Sequence, residues 1–131
     1  MSATTKTELS FVLANRPGTL AEVLNALAHA KVNLLACDAS GGFEYNIVRI
    51  VPDRTNKARA VLRRKSCDVG EAKVICVSTT DRPGALAEVT NALGRASINI
   101  DYLYATGGTP AGDTLLVLHV SDTKKALKLL K

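Results

Sequence analysis

The chain has 131 residues, of which 47% are hydrophobic and 22% charged, with two Phe, three Tyr and no Trp. That length suits one ordinary domain or two very small ones, and the charged fraction and mean hydropathy of +0.10 exclude a disordered chain. No apolar run approaches the roughly 20 residues of a membrane helix, and the stretch Met1–Lys6 has no apolar signal-peptide core, so a soluble cytoplasmic protein without a membrane partner is expected.

The three cysteines (Cys37, Cys67, Cys76) are odd in number and widely spaced. They offer neither a disulfide framework nor a CxxC metal or redox motif, and in apolar or strand-like surroundings they read as small hydrophobes. With His29 and His119 far apart, no metal or cofactor is expected. The net charge of +5 raises nucleic acid as a partner, so the location of the charge matters more than its total. Arg54, Lys57, Arg59, Arg63, Arg64 and Lys65 form one basic stretch, and Lys124, Lys125, Lys128 and Lys131 form another. Such runs usually mark a solvated helix face. Five aromatic residues and no K/R-G-F/Y-x-F pattern argue against an RNA-reading sheet, so no nucleic acid is expected.

The chain repeats itself. Residues 16–33 (RPGTLAEVLNALAHAKVN) and 82–99 (RPGALAEVTNALGRASIN) agree at 12 of 18 positions with a constant offset of 66. Gly41-Gly42 is matched by Gly107-Gly108, and Val51-Pro52-Asp53 by Val120-Ser121-Asp122 after a three-residue insertion around Pro110. Two units are therefore expected, over 1–70 and 71–131.

In chain order, Leu9, Phe11 and Leu13 alternate as a half-buried strand, matched by Ile75, Val77 and Thr79. Arg-Pro-Gly then forms a strand-to-helix corner, since Pro suits a helix start where its missing N–H is not needed. A helix follows over 17–30 and over 83–96, with apolar stripes of Leu20, Val23, Leu24 and Leu27, or Leu86, Val89 and Leu93. Strands begin at Val32 and Ile98 and turn at the glycine pairs into Tyr45–Val51 and Thr114–Val120. Asp53 and Asp122 are candidate caps for second helices carrying Ala58, Val61 and Leu62, or Ala126, Leu129 and Leu130. A short strand at Cys67–Val69 closes the first unit. The order is βαββαβ, an α+β, ferredoxin-like plan of antiparallel sheets with helices on one face. The second unit lacks its last strand, so the other unit or another chain is expected to cover that edge, and a homodimer is expected on the same ground.

At Asn15-Arg-Pro-Gly-Thr-Leu20 and Asp81-Arg-Pro-Gly-Ala-Leu86 the sequence resembles the ACT domain, over nearly the whole chain and twice. The resemblance implies a tandem regulatory protein that binds an amino acid at interfaces between ACT units, close to these corners. A second candidate role is that of a regulatory subunit or interaction module acting on a partner enzyme, with the basic helices facing an acidic partner. The ligand-site residues the resemblance marks are Leu13, Asn15, Arg16, Pro17, Gly18, Thr19, Leu20 and Asn33 in the first copy. In the second they are Thr79, Asp81, Arg82, Pro83, Gly84, Ala85, Leu86 and Asn99. In the serine-binding ACT domain of phosphoglycerate dehydrogenase, a His-x-Asn precedes Pro-Gly and an Asn opens the second strand. Asn15, Asn33 and Asn99 match these asparagines, whereas Leu13 and Thr79 stand at the histidine position and Asp81 replaces the other Asn, which points away from serine.

The residue types fit that role on their own terms. A helix start presents unpaired N–H groups and a positive dipole end to a carboxylate. Asn15 offers donor and acceptor together, and a glycine allows close approach. Each also has a plainer role: Asn15 as a cap, Asn33 and Asn99 as turn residues, Gly18 and Gly84 as spacers for tight packing, Asp81 as a charge complementing the helix start. No Ser/His/Asp or Cys/His set, phosphate loop or close carboxylate pair is visible, so no catalytic residue and no enzyme is expected.

Overall fold

A computed structural model describes residues 1–107 and 112–131. It contains six strands and four helices: β1 (Ser2–Ala14), α1 (Thr19–His29), β2 (Leu34–Gly41), β3 (Tyr45–Pro52), α2 (Thr55–Arg64), β4 (Gly70–Thr80), α3 (Ala85–Arg95), β5 (Ile100–Thr106), β6 (Asp113–Val120) and α4 (Thr123–Leu130). The fold is α+β, as the repeat predicts. It divides into two compact units, Thr7–Ala72 and Met1–Lys6 with Lys73–Lys131.

The Thr7–Ala72 unit has the strand order β2-β3-β1-β4, with β4 contributing only Gly70–Ala72. β3 runs antiparallel to both neighbours, with Leu9 opposite Ile50 and Phe11 opposite Val48 on one side, and Cys37 opposite Ile50 on the other. The alternation in β1 works as read: Leu9 and Phe11 are buried and Leu13 partly so. They meet Val23 and Leu27 of α1 and Ala58, Val61 and Leu62 of α2 in one core, edged by Leu20, Leu24, Cys67 and Val69. The expected strand at Cys67–Val69 is instead a connecting segment, and the closing strand begins at Gly70. At Gly70 a Cβ would lie 2.7 Å from Ser10 Oγ, so a side chain there would require that hydroxyl to turn away.

The other unit repeats the plan with the order β1-β4-β6-β5, where β1 supplies only Met1–Lys6. Its core gathers Ile75, Val77, Val89, Leu93, Leu116, Leu118, Ala126 and Leu130, with Ala3 packed against it. The missing last strand is thus met by the start of the same chain, which removes the open edge as a ground for a homodimer.

Local departures from expectation have physical causes. Leu86 is exposed while Ala85 is buried, so the α3 stripe starts one residue earlier; in α4, Leu129 is exposed and Leu127 packs inward. Asp122 caps α4, its Oδ1 accepting from the Lys125 N–H at 3.0 Å. Asp53 does not cap α2, which starts behind Arg54 without a side-chain cap. Instead the Asp53 carboxylate accepts the Asn33 N–H at 2.9 Å and its own N–H returns to Asn33 C=O. Ser121 makes the same exchange with Asn99, so Ser121 and not Asp122 is the counterpart of Asp53. The strand registers agree: Leu34 faces Pro52 and Ile100 faces Val120, which makes the second hairpin two residues longer, not three. Gly108 and Pro110 lie outside the described residues. Cys37 is exposed, Cys67 partly buried and Cys76 buried.

Candidate functional site

The corner Asn15–Thr19 is built by the end of β1 and the start of α1. Gly18 precedes the helix with φ 88°, a left-handed backbone that an L side chain adopts only at a cost, and Gly84 does the same with φ 88°. Close packing is not the reason for glycine here. A Cβ on Gly18 would meet nothing within 4 Å, and one on Gly84 only Arg82 Nη1 at 3.9 Å. Neither helix start carries a side-chain cap, which leaves first-turn N–H groups available to solvent or a ligand. Thr19 turns its hydroxyl back to donate to Ala14 C=O at 2.7 Å, holding the corner shut against the strand end.

Asn15 is engaged by its own unit. Its Nδ2 donates to Phe43 C=O at 3.2 Å, its Oδ1 accepts from Asn46 Nδ2 at 3.1 Å, and its N–H donates to Glu44 C=O at 2.7 Å. It clamps the β2–β3 turn to the end of β1. Asn33 and Asn99 lie one residue before β2 and β5, exposed, each held through its backbone. Asn99 Nδ2 also donates to Asp101 Oδ1 at 3.0 Å.

Beside the first corner lies a cavity of about 410 Å³ within the Thr7–Ala72 unit. Val12, Leu13, Ala14 and Val23 form its apolar part, and Arg16, Lys65, Glu22 and Asp68 bring both charge signs to it. Thr19, Ser66 and Cys67 complete the wall. Of the eight first-copy candidates, Leu13, Arg16 and Thr19 line this cavity, while Asn15, Pro17, Gly18, Leu20 and Asn33 do not. Lys65, Ser66, Cys67, Asp68 and Glu22 were not foreseen as site residues. Residues 65–68 follow α2, some 50 positions from the corner in sequence, and only folding brings the two stretches together. Lys65 Nζ and Glu22 Oε1 stand 3.4 Å apart across the wall. Burial first, then the adjacent Asp68 carboxylate, pushes the Cys67 thiol above its ordinary pKa, so it stays protonated near neutrality. Partial desolvation and the Asp38 carboxylate do the same to Cys37, although that residue is exposed overall.

The second corner is arranged differently. Arg82 Nη2 donates to Glu88 Oε1 at 2.6 Å and Nη1 to Pro83 C=O at 3.3 Å. Asp81 donates its N–H to Gly112 C=O at 2.7 Å. Ala85 replaces Thr19 and is buried, Thr79 is buried, and Asp81, Pro83, Gly84 and Leu86 are exposed. Further along this unit, His119 Nδ1 lies 2.8 Å from Asp101 Oδ2 and its ring stacks on Tyr102. Among the described residues, no group of three or more His, Cys, Asp or Glu side chains is placed to hold a metal, and no helix is long and apolar enough to cross a membrane.

The family described as the ACT domain pair matches residues 4–130. No curated protein matches the sequence. Among solved structures, protein BT0572 from Bacteroides thetaiotaomicron shares 28% identity and a TM-score of 0.89, over 98% of this chain and 88% of that one. The regulatory subunit of aspartate kinase from Thermus thermophilus, in its ligand-free form, aligns with TM-score 0.69 at 12% identity, over 99% of this chain and 95% of that one. Aspartate kinase from Clostridium acetobutylicum aligns with TM-score 0.60 at 14% identity, over 98% of this chain but 33% of that one. At 12% and 14% identity the likeness is one of fold.

Proposed function

The chain belongs to the ACT domain pair family, and we propose that it is a non-catalytic regulatory protein that binds an L-amino acid beside its Arg-Pro-Gly strand-helix corners. The observation that carries this reading is the cavity at the first corner, where two cations and two carboxylates surround an apolar wall. An amino acid is a zwitterion on a side chain of variable polarity. Arg16 is suited to its carboxylate, since a guanidinium presents paired N–H donors to two oxygens. Glu22 and Asp68 are suited to its ammonium. Regulation follows by linkage: the ligand favours whichever arrangement of the protein it binds more tightly.

Thermal-shift measurement against the twenty amino acids tests the reading. A ligand at 100 times its Kd stabilises by about 2.7 kcal/mol. At least one amino acid at millimolar concentration is expected to raise the melting temperature, and no shift from any of the twenty would contradict the proposal. A second reading draws on α2, whose Arg54, Lys57, Arg63 and Arg64 flank are exposed cations with no acid in the first turn. On that reading the basic face docks on an acidic surface of a partner enzyme. Capture of a partner by the native chain, lost when these four are replaced by Gln, would favour it.

A further inference from the structure

We infer that the two corners of the chain are unequal, and that a single amino acid with an apolar side chain binds per chain, at the Arg16 corner. The inference rests on the amino-acid reading above and deepens it. The motif is repeated at a constant offset, so Asn15, Arg16 and Glu22 correspond to Asp81, Arg82 and Glu88. The side chains are nevertheless paired in different ways. Glu88 holds Arg82 at 2.6 Å, and the other arm of the guanidinium donates to Pro83 C=O. Glu22 turns instead to Lys65, at 3.4 Å. The Arg16 guanidinium makes no hydrogen bond or ion pair among the described residues and lines the cavity.

Charge points the same way. The three matched positions carry no net charge in the first copy and −1 in the second, because Asp81 stands where Asn15 does. A ligand carboxylate at the second corner would have to displace Glu88 from Arg82 and approach Asp81, a like charge. At the first corner it meets an uncommitted guanidinium. The rest of the first cavity selects the side chain. Val12, Leu13, Ala14 and Val23 line it, together with Cys67, whose thiol stays protonated. An aliphatic side chain buries area against these groups, whereas a charged one would have to compete for the Lys65–Glu22 pair or for the groups that hold the ligand's own carboxylate and ammonium.

Isothermal titration of the full chain with L-valine as the probe tests this, with L-aspartate and L-lysine as comparisons. The expected stoichiometry is one per chain, with L-valine the tightest of the three. Arg16→Gln is expected to weaken L-valine roughly tenfold or more, the loss of a hydrogen bond to a charged group, while Arg82→Gln leaves it within about twofold. Circular dichroism of both variants reports whether the fold is retained, and both side chains are exposed enough to be replaced. Equal weakening by the two variants, or a stoichiometry of two, would overturn the inequality and leave amino-acid binding standing. Tighter binding of L-aspartate or L-lysine than L-valine would overturn the side-chain class. Absence of binding by any amino acid would overturn both the inference and the reading beneath it.

Discussion

Replacing Gly18 by Ala isolates one physical effect at the corner. The residue sits at φ 88°, ψ −13° and no atom lies within 4 Å of where a Cβ would stand. Steric overlap with neighbours therefore contributes nothing, and the cost is that of holding an L residue in the left-handed region, about 1–2 kcal/mol. The lower entropy of unfolded Ala relative to Gly does not recover this, because that gain appears only where the native φ suits Ala. For a chain of this size each kcal/mol moves the melting temperature by roughly 3–5 °C, so a fall of about 3–10 °C is expected in a thermal melt followed by circular dichroism. Gly84→Ala should fall by a similar amount, since its φ is the same and its surroundings are nearly as open. Gly18→Asn should recover part of the loss, because Asn visits this region more readily than Ala. An unchanged or raised melting temperature for Gly18→Ala would mean that the corner does not require positive φ.

Other predictions follow from the same geometry. Leu62→Ala and Leu93→Ala, each removing a fully buried side chain, should cost about 2–5 kcal/mol in urea denaturation, whereas Phe43→Ser, 97% exposed, should stay within about 0.5 kcal/mol. Deleting Met1–Lys6 removes Ala3 from the second core and should speed amide exchange in 73–131 more than in 7–72; uniform change would argue against that placement. Cys67 has a raised pKa and lines the cavity, so its alkylation by iodoacetamide should be slow at neutral pH and accelerate only above the ordinary thiol range. A bound amino acid should protect Cys67 and leave the exposed Cys37 unprotected. The sign for stability is the same: a thiol held protonated in the fold contributes fully below its unfolded pKa, and the contribution is lost as pH rises through the folded one.

Sequence alone reaches far into the fold because its two signals are local. The 66-residue repeat and the spacing of Val23 and Leu27, or Val89 and Leu93, announce helices whose buried faces the structure shares. What periodicity does not reach is exchange between distant segments. Nothing in Met1–Lys6 marks it as a strand of the unit holding Lys73–Lys131, and nothing in Cys67–Val69 marks it as connector before a strand at Gly70. Side-chain direction is similarly hidden: Asp53 and Asp122 look alike in sequence, yet Asp53 stands one residue after the paired strand end and bonds the Asn33 N–H, whereas Asp122 stands two after it and caps a helix. At the candidate site, the motif locates Arg16 and Thr19, but Lys65 and Asp68 reach the same cavity only through the packing of α2. For Gly18 and Gly84 the sequence suggests close approach or tight packing; that φ and not crowding demands them is visible only in the backbone.

Whether an amino acid is held at the Arg16 corner is decided by backbone amide chemical-shift mapping during an L-valine titration. Saturable shifts confined to residues around 12–23 and 65–68 are expected, with residues 81–88 unmoved. Shifts centred on 81–88, or an unperturbed spectrum at saturating amino acid, would contradict binding at that corner.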